Sequence, residues 1–251
     1  AREVASGYFY YWAYPRGESP ELILEWFAAR KRWNKALREM LLSNPPAYMD
    51  SPLLLRRAAE RAWQDPPYDG DMPTWQAEAW PSWEEIQEQV QPDTRAKWLD
   101  DFLAKDAADW AMKNKGIVWC QSRAFALRVA ELAKLPYHGG GPNAEAAILA
   151  EDGSRSIVAS IDAHGSGRDG LQRLFNEQLV AEPLASGDAW QQLLGRLCRP
   201  GQASDGVTTH VYVHVAENKD ALRKATREAE FARDQSGSAQ LLLLADWDFD
   251  V

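Results

Sequence analysis

Apolar residues recur along this chain in two rhythms that change near residue 115. Before that point the spacing is helical. Leu22, Leu24, Phe27, Trp33, Leu37 and Leu41 mark one long helix over 21–42, with Ser19-Pro20 as its start signal. A second helix is predicted over 53–63 and stops at Asp65-Pro66-Pro67. The turn-rich stretch from Asp65 to Trp83 reads as a long connection. Ser82 is placed to cap a helix over 84–90, with Glu85 at the capping-box position, and a third long helix is predicted over 94–113.

Beyond residue 115, short β-branched runs alternate with amphipathic stretches. Strands are predicted at 116–120 ("GIVWC"), 157–161, 177–181 and 207–215 ("VTTHVYVHV"), and helices at 123–133, 190–197 and 219–233. Strands alternating with helices predict an α/β fold with a parallel sheet flanked by helices, preceded by a mainly helical segment. The expected division is 1–93 and 94–251.

Composition narrows the class. Of the 251 residues 45% are hydrophobic and 26% charged, the balance of a soluble globular protein. No apolar run approaches the ~18 residues of a membrane span. Arg2 and Glu3 precede the aromatic patch "GYFYYWAY", so no secretory leader is expected, and the missing initiator Met suggests a piece of a longer chain. Cys120 and Cys198 form no C-x-x-C and read as reduced thiols of a cytoplasmic protein. A net charge of -9 excludes a wholly basic nucleic-acid coat but not a local basic groove. Nine of the 12 tryptophans precede residue 111, which makes packing their default role there and base stacking the alternative.

Several short patterns invite chemistry. Gly165-Ser166-Gly167-Arg168-Asp169-Gly170 spells G-x-G-x-x-G after a strand, the form of a dinucleotide-binding turn. Its context does not fit, because a strand and helix already precede it and Asp188, the acid about 20 residues on, looks like a helix cap. "YHGGG" (137–141) resembles an oxyanion-hole loop, but no G-x-S-x-G elbow accompanies it. His210 and His214 share a strand face without a third ligand beside them.

The deciding stretch is "AWQQLLGRLCRPGQ" (189–202), which sets Gln192, Arg196, Arg199, Gly201 and Gln202 in the pattern Q-x-x-x-R-x-x-R-x-G-Q. On a helix Gln192 and Arg196 share a face at i,i+4, with Arg199 one turn further. Two guanidiniums at one helix end suit charge-spread phosphate oxygens. A solvated basic face would serve as well with Lys and leaves the terminal R-P-G-Q unexplained.

This pattern resembles motif VI of superfamily 2 helicases, most closely the Swi/Snf-type branch and related bacteriophage helicases. "KGIVWCQSRAFALRVAELA" resembles motif IV, "LPYHGGG" the block that follows it, and "ASIDAHGSGRDGLQ" motif V, all in the family's order. The resemblance covers residues ~95 to ~235. The helical first part is similar, less specifically, to the link between the two helicase lobes. The family's phosphate-binding loop G-x-x-x-x-G-K-[ST] and its D-E-x-H or D-E-A-D box are missing from the chain.

The resemblance therefore implies the C-terminal RecA-like lobe of an ATP-dependent DNA helicase or translocase. ATP and Mg would be bound mainly by an N-terminal lobe of the same polypeptide, and the isolated chain would be inactive. Arg196 and Arg199 would reach the ATP phosphates, with Arg199 as the arginine finger, an element worth about 10³–10⁵ in rate. Gln192, Gly167 and Asp169 would couple nucleotide to motif V. Ser122, Ser160, Gly165, Ser166 and Arg168 would meet the nucleic-acid backbone. Arg168-Asp169-Gly170 interrupts the usual G-x-G-L-N order, which leaves the roles of Arg168 and Asp169 open. The implied setting is the cytoplasm of a bacterial or phage-infected cell, with no membrane partner. The alternative is a non-catalytic DNA- or protein-binding module derived from such a lobe.

Overall fold

A computed structural model describes residues 2–64, 74–167 and 169–248. The chain forms two compact units, 11–95 and a second assembled from 1–10 and 96–251. It opens with α1 (Arg2–Ala5) and β1 (Tyr8–Ala13), passes through α2 (Pro20–Leu42), α3 (Pro52–Gln64) and α4 (Thr74–Ile86), and returns through β2 (Asp93–Trp98), which pairs with β1. Then follow α5 (Phe102–Lys113), β3 (Gly116–Cys120), α6 (Arg123–Ala133), β4 (Tyr137–His138), α7 (Ala144–Leu149), β5 (Ile157–Ser160), α8 (Ile161–His164), β6 (Glu177–Val180), α9 (Gly187–Leu194), β7 (Thr208–Val211), α10 (Ala216–Ser236) and α11 (Leu241–Leu244).

Strands β3 to β7 make one parallel sheet in the order β4-β5-β3-β6-β7. Every residue of β3 is buried, which is why it reads as an unbroken apolar run. Alternate side chains serve opposite faces. Ile117 and Trp119 pack with Trp190 and Leu193 of α9 and Leu222 and Ala225 of α10. Val118 and Cys120 pack with Leu103 and Ala107 of α5 and Phe125 and Val129 of α6. The expected α/β class is therefore what the chain forms.

In the 11–95 unit, α2, α3 and α4 share a core of Trp33, Met40, Leu55, Ala59 and Trp80. Trp33 and Trp80 meet edge to face at 5.1 Å, and Trp26 joins Ile86 and Val90 in a second cluster.

Local rules lose at four places. The expected connection up to Trp83 falls partly outside the described residues, but Thr74–Ile86 is one helix that continues through Pro81. Ser82 therefore caps nothing. A mid-helix proline costs about 3 kcal/mol, and burial of Ala77, Ala79, Trp80 and Ile86 on either side offsets it. The expected helix 94–113 is a strand followed by a helix. Only Ala96 and Trp98 of β2 are partly covered, a two-residue period, and α5 begins after Asp101. Strand β7 is shorter than 207–215 because its partner β6 ends at Val180, so the ladder has nothing further to bond. Helix α9 runs 187–194 rather than 190–197, and tight i→i+3 turns at Arg196 and Leu197 replace its last turn.

Candidate functional site

The chain runs from β3 out to β4, back to β5 beside β3, and across to β6 on the other side of β3. That change of direction opens a crevice at the strands' carboxyl ends, where open α/β sheets take their ligands. A cleft of about 480 Å³ lies there. Gln121 lines it from the end of β3, Gly165 and Ser166 from beyond β5, Ser186 from beyond β6, and Gln192 from α9.

The glycine loop follows α8, which Ser160 caps by accepting the Ala163 N–H at 3.3 Å. A Cβ on Gly165 would stand 2.5 Å from the Ile161 carbonyl oxygen, so the loop can leave α8 only through glycine. Gly167 has φ +71° and nothing within 4 Å of a would-be Cβ, so its backbone is both left-handed and open to a ligand. Ser166 is exposed. Arg168, expected at the nucleic-acid backbone, lies outside the described residues.

The two arginines do not simply project from a helix end. Arg196 Nε donates to the Gln192 carbonyl at 3.2 Å, and Arg199 Nε donates to the Gly195 carbonyl at 2.7 Å. Both satisfy carbonyls that a helix C-terminus leaves without amide partners. Arg196 is 7% exposed, whereas the side chain of Arg199 is 29% exposed and is the more reachable guanidinium. Gln192 is exposed on the cleft.

Loop and arginine turn are bonded together. Arg199 Nη1 lies 3.0 Å from Asp169 Oδ1. The same oxygen accepts from Gln172 Nε2 at 2.9 Å, and Gln172 Oε1 accepts the Gly170 N–H at 2.9 Å. The Gln172 amide, then the Arg199 guanidinium, hold the Asp169 carboxyl below its ordinary pKa. Gln202 closes the turn by donating from Nε2 to the Phe175 carbonyl at 2.9 Å.

Ser122 is differently placed. Its hydroxyl donates to Glu182 Oε1 at 2.7 Å, and the N–H groups of Ser122 and Gln121 donate to Oε2 at 2.6 and 2.8 Å. A carboxylate thus occupies the start of α6, where a phosphate was expected. Burial raises the Glu182 pKa, and the Ser122 and Gln121 donors oppose that rise. The hydroxyl of Tyr10 accepts the N–H of Ala124, two residues on from Ser122, at 3.3 Å.

Sequence reasoning missed Glu182 and Gln172. Each carries a signal: Glu182 is an acid directly after the buried run "QLVA", and Gln172 is an amide directly after Leu171 in the otherwise apolar-rich "GLQRLF". Among the described residues no group of three or more His, Cys, Asp or Glu is gathered for a metal ion, and no helix is long and apolar enough to cross a membrane.

A five-stranded parallel sheet with helices on both faces is an α/β architecture of the RecA-like type, and the glycine loop and the arginine-bearing turn both lie at its carboxyl end. The chain matches no protein-family model and no curated protein. Among solved structures it is similar to T4 UvsW, with 16% identity and a TM-score of 0.36 over 51% of this chain and 32% of that one. It is also similar to the C-terminal part of the Fun30 ATPase domain, with 11% identity and a TM-score of 0.41 over 78% of this chain and 84% of that one. The chain thus spans about a third of the UvsW chain's length.

Proposed function

We propose that this chain is the C-terminal lobe of an ATP-dependent DNA helicase or translocase and is inactive without an N-terminal ATP-binding lobe. The observation that carries this reading is the hydrogen-bonded union of the 165–170 loop with the 196–202 turn at one end of the sheet. A ligand on the loop and a nucleotide beside the turn would each act on the same Asp169–Arg199 pair.

In this reading Arg199 leaves Asp169 for the phosphate oxygens of ATP, where its planar fork stabilises developing charge. Arg196, buried and bonded to Gln192, holds the turn's shape and adds positive potential. The loop that follows Gly165 offers the Ser166 hydroxyl and the N–H groups of Ser166 and Gly167 to a DNA backbone, while the Gly165 N–H is kept by the Ile161 carbonyl and Ser160 fixes the loop's take-off. Ser122 would reach a phosphate only by giving up Glu182. Mg would be held by the other lobe, and no residue of this chain is assigned to it.

The test is ATP turnover in a polypeptide that carries both lobes. Arg199→Ala should reduce hydrolysis by about 10³-fold or more while nucleotide binding stays within a few-fold of wild type. Unchanged turnover would remove Arg199 from that role, and robust hydrolysis by residues 1–251 alone would overturn the lobe assignment.

A further inference from the structure

Helix α2 carries a face that the lobe reading leaves unexplained. Arg30, Lys31, Asn34, Lys35 and Arg38 line a shallow groove on it, with Phe27 at one end and no acidic residue in the lining. The chain as a whole has net charge -9, so a groove lined by four cations and no acid is a local exception.

The arrangement works against the helix that holds it. Lys31 and Lys35 are like charges at i,i+4, and Lys35 and Arg38 at i,i+3, both spacings that oppose helix formation. Relief is available elsewhere in the same unit, where Arg32 pairs with Glu78 at 3.6 Å and Arg56 with Glu60 at 2.8 Å. Lys35 has Glu39 at 3.7 Å on its far side. Lys31 and Arg38 have no acid at i±3 or i±4 and no ion-pair partner among the described residues. Arg30 is fixed in place, its guanidinium 4.4 Å from the Trp12 ring and 5.4 Å from the Trp26 ring. Phe27 is 40% exposed and packs on Trp12, so its ring is held at the groove's end.

We propose that this face of α2 is a second nucleic-acid contact, binding the sugar–phosphate backbone through Lys31, Lys35, Arg38 and Arg30. Seven residues of helix separate Lys31 from Arg38 by about 10 Å. That is the axial span of roughly three phosphates on one strand of a duplex. The backbone rather than the bases is the target, because a row of cations carries no base-edge code. Asn34, between the cations, adds an uncharged donor to the same strand. The proposal rests on the DNA-motor reading for its choice of polyanion, and its test separates the two.

The experiment measures binding of residues 1–251 to a fluorescein-labelled short DNA duplex by anisotropy across a salt series. The double variant Lys31→Glu/Arg38→Glu should weaken binding by about tenfold or more and lower the slope of log K against log salt by about two. The neutral pair Lys31→Gln/Arg38→Gln should fall between, with far-UV circular dichroism matching wild type in both. Wild-type affinity and slope in the reversed variant would overturn the α2 contact and leave the lobe reading untouched. The expected loss in that variant, together with an Arg199→Ala polypeptide that still hydrolyses ATP, would retain the contact and sink the finger. Absence of duplex binding by the wild-type chain at low salt would also overturn the contact. Displacement of the duplex by poly-glutamate at equal charge concentration would do the same, marking the groove as a face for acidic protein.

Discussion

Asp169 and Arg199, thirty residues apart, meet through Oδ1 and Nη1 at 3.0 Å and join the glycine loop to the arginine turn. The pair is solvent-facing on the acid's side, so it adds little to stability. Its position gives it another use: whatever moves the loop also moves the guanidinium.

Asp169→Asn should leave the unfolding midpoint in urea almost unchanged. In a two-lobe polypeptide it should instead raise ATP turnover measured without DNA, because Arg199 is no longer held back. Equal DNA-free turnover in variant and wild type would show that the pair restrains nothing.

The same pair fixes a pH response. Hydrogen bonds from Gln172 and then Arg199 lower the Asp169 pKa in the fold, so its contribution is complete above the ordinary carboxyl value of 3.8 and is lost as pH falls through the folded value. The carboxyl carbon of Asp169, followed by NMR, should titrate below 3.8 in wild type and move back toward it in Gln172→Ala.

Glu182 should behave in the opposite sense. Burial raises its pKa, so the fold binds its proton more tightly than the unfolded chain does. That contribution is present below the ordinary carboxyl value and lost as pH rises through the folded one. Urea melts should show wild type gaining on Glu182→Gln as pH falls from 7 to 5. Glu182→Ala leaves the Ser122 hydroxyl and two N–H groups without their acceptor and should cost about 2–4 kcal/mol at neutral pH.

Two glycines of one loop, Gly165 and Gly167, should separate fold from function. Gly165→Ala drives a Cβ into the Ile161 carbonyl and should destabilise the lobe by more than Gly167→Ala, which meets no atom and bears only left-handed strain of about 1–2 kcal/mol. Under the proposed function Gly167→Ala should nevertheless weaken DNA binding. The comparison needs a thermal melt and an anisotropy titration on each variant.

In the core, Trp190 is fully buried and donates its indole N–H to the Leu184 carbonyl at 2.9 Å. Trp190→Ala should cost about 3–5 kcal/mol, a large share of the stability of a typical domain, read as a lowered urea midpoint.

The legible parts of this fold were those with a strong local signal. Strand β3 announces itself because both faces are buried, and α2 because its apolar stripe is long and starts with Ser19-Pro20. The β1–β2 ribbon was hidden, since "YFYYWA" and "DTRAKW" gain strand character from each other across some eighty residues. Helix α4 was hidden because Pro81 is a stop signal that only tertiary burial overrides. In the site, the spelling of 192–202 identifies the arginines as a set but not their conformations. Arg196 turns back on Gln192, and the partner of Arg199 comes from a segment whose acid the family pattern does not explain. Long-range hydrogen bonds of this kind leave no period in a sequence.

Because residues 11–95 leave through β1 and come back through β2, two strands that pair with each other, their entry and exit are neighbours. To the sheet-bearing unit the whole helical insert is therefore equivalent to the turn of a hairpin. Joining Ala13 to Asp93 by an Asn-Gly turn would keep that ribbon while removing three helices and half of the tryptophans. Loop-closure entropy changes only slowly with length, so the shortened chain has little thermodynamic reason to fold less well. The insert is in this sense a replaceable part.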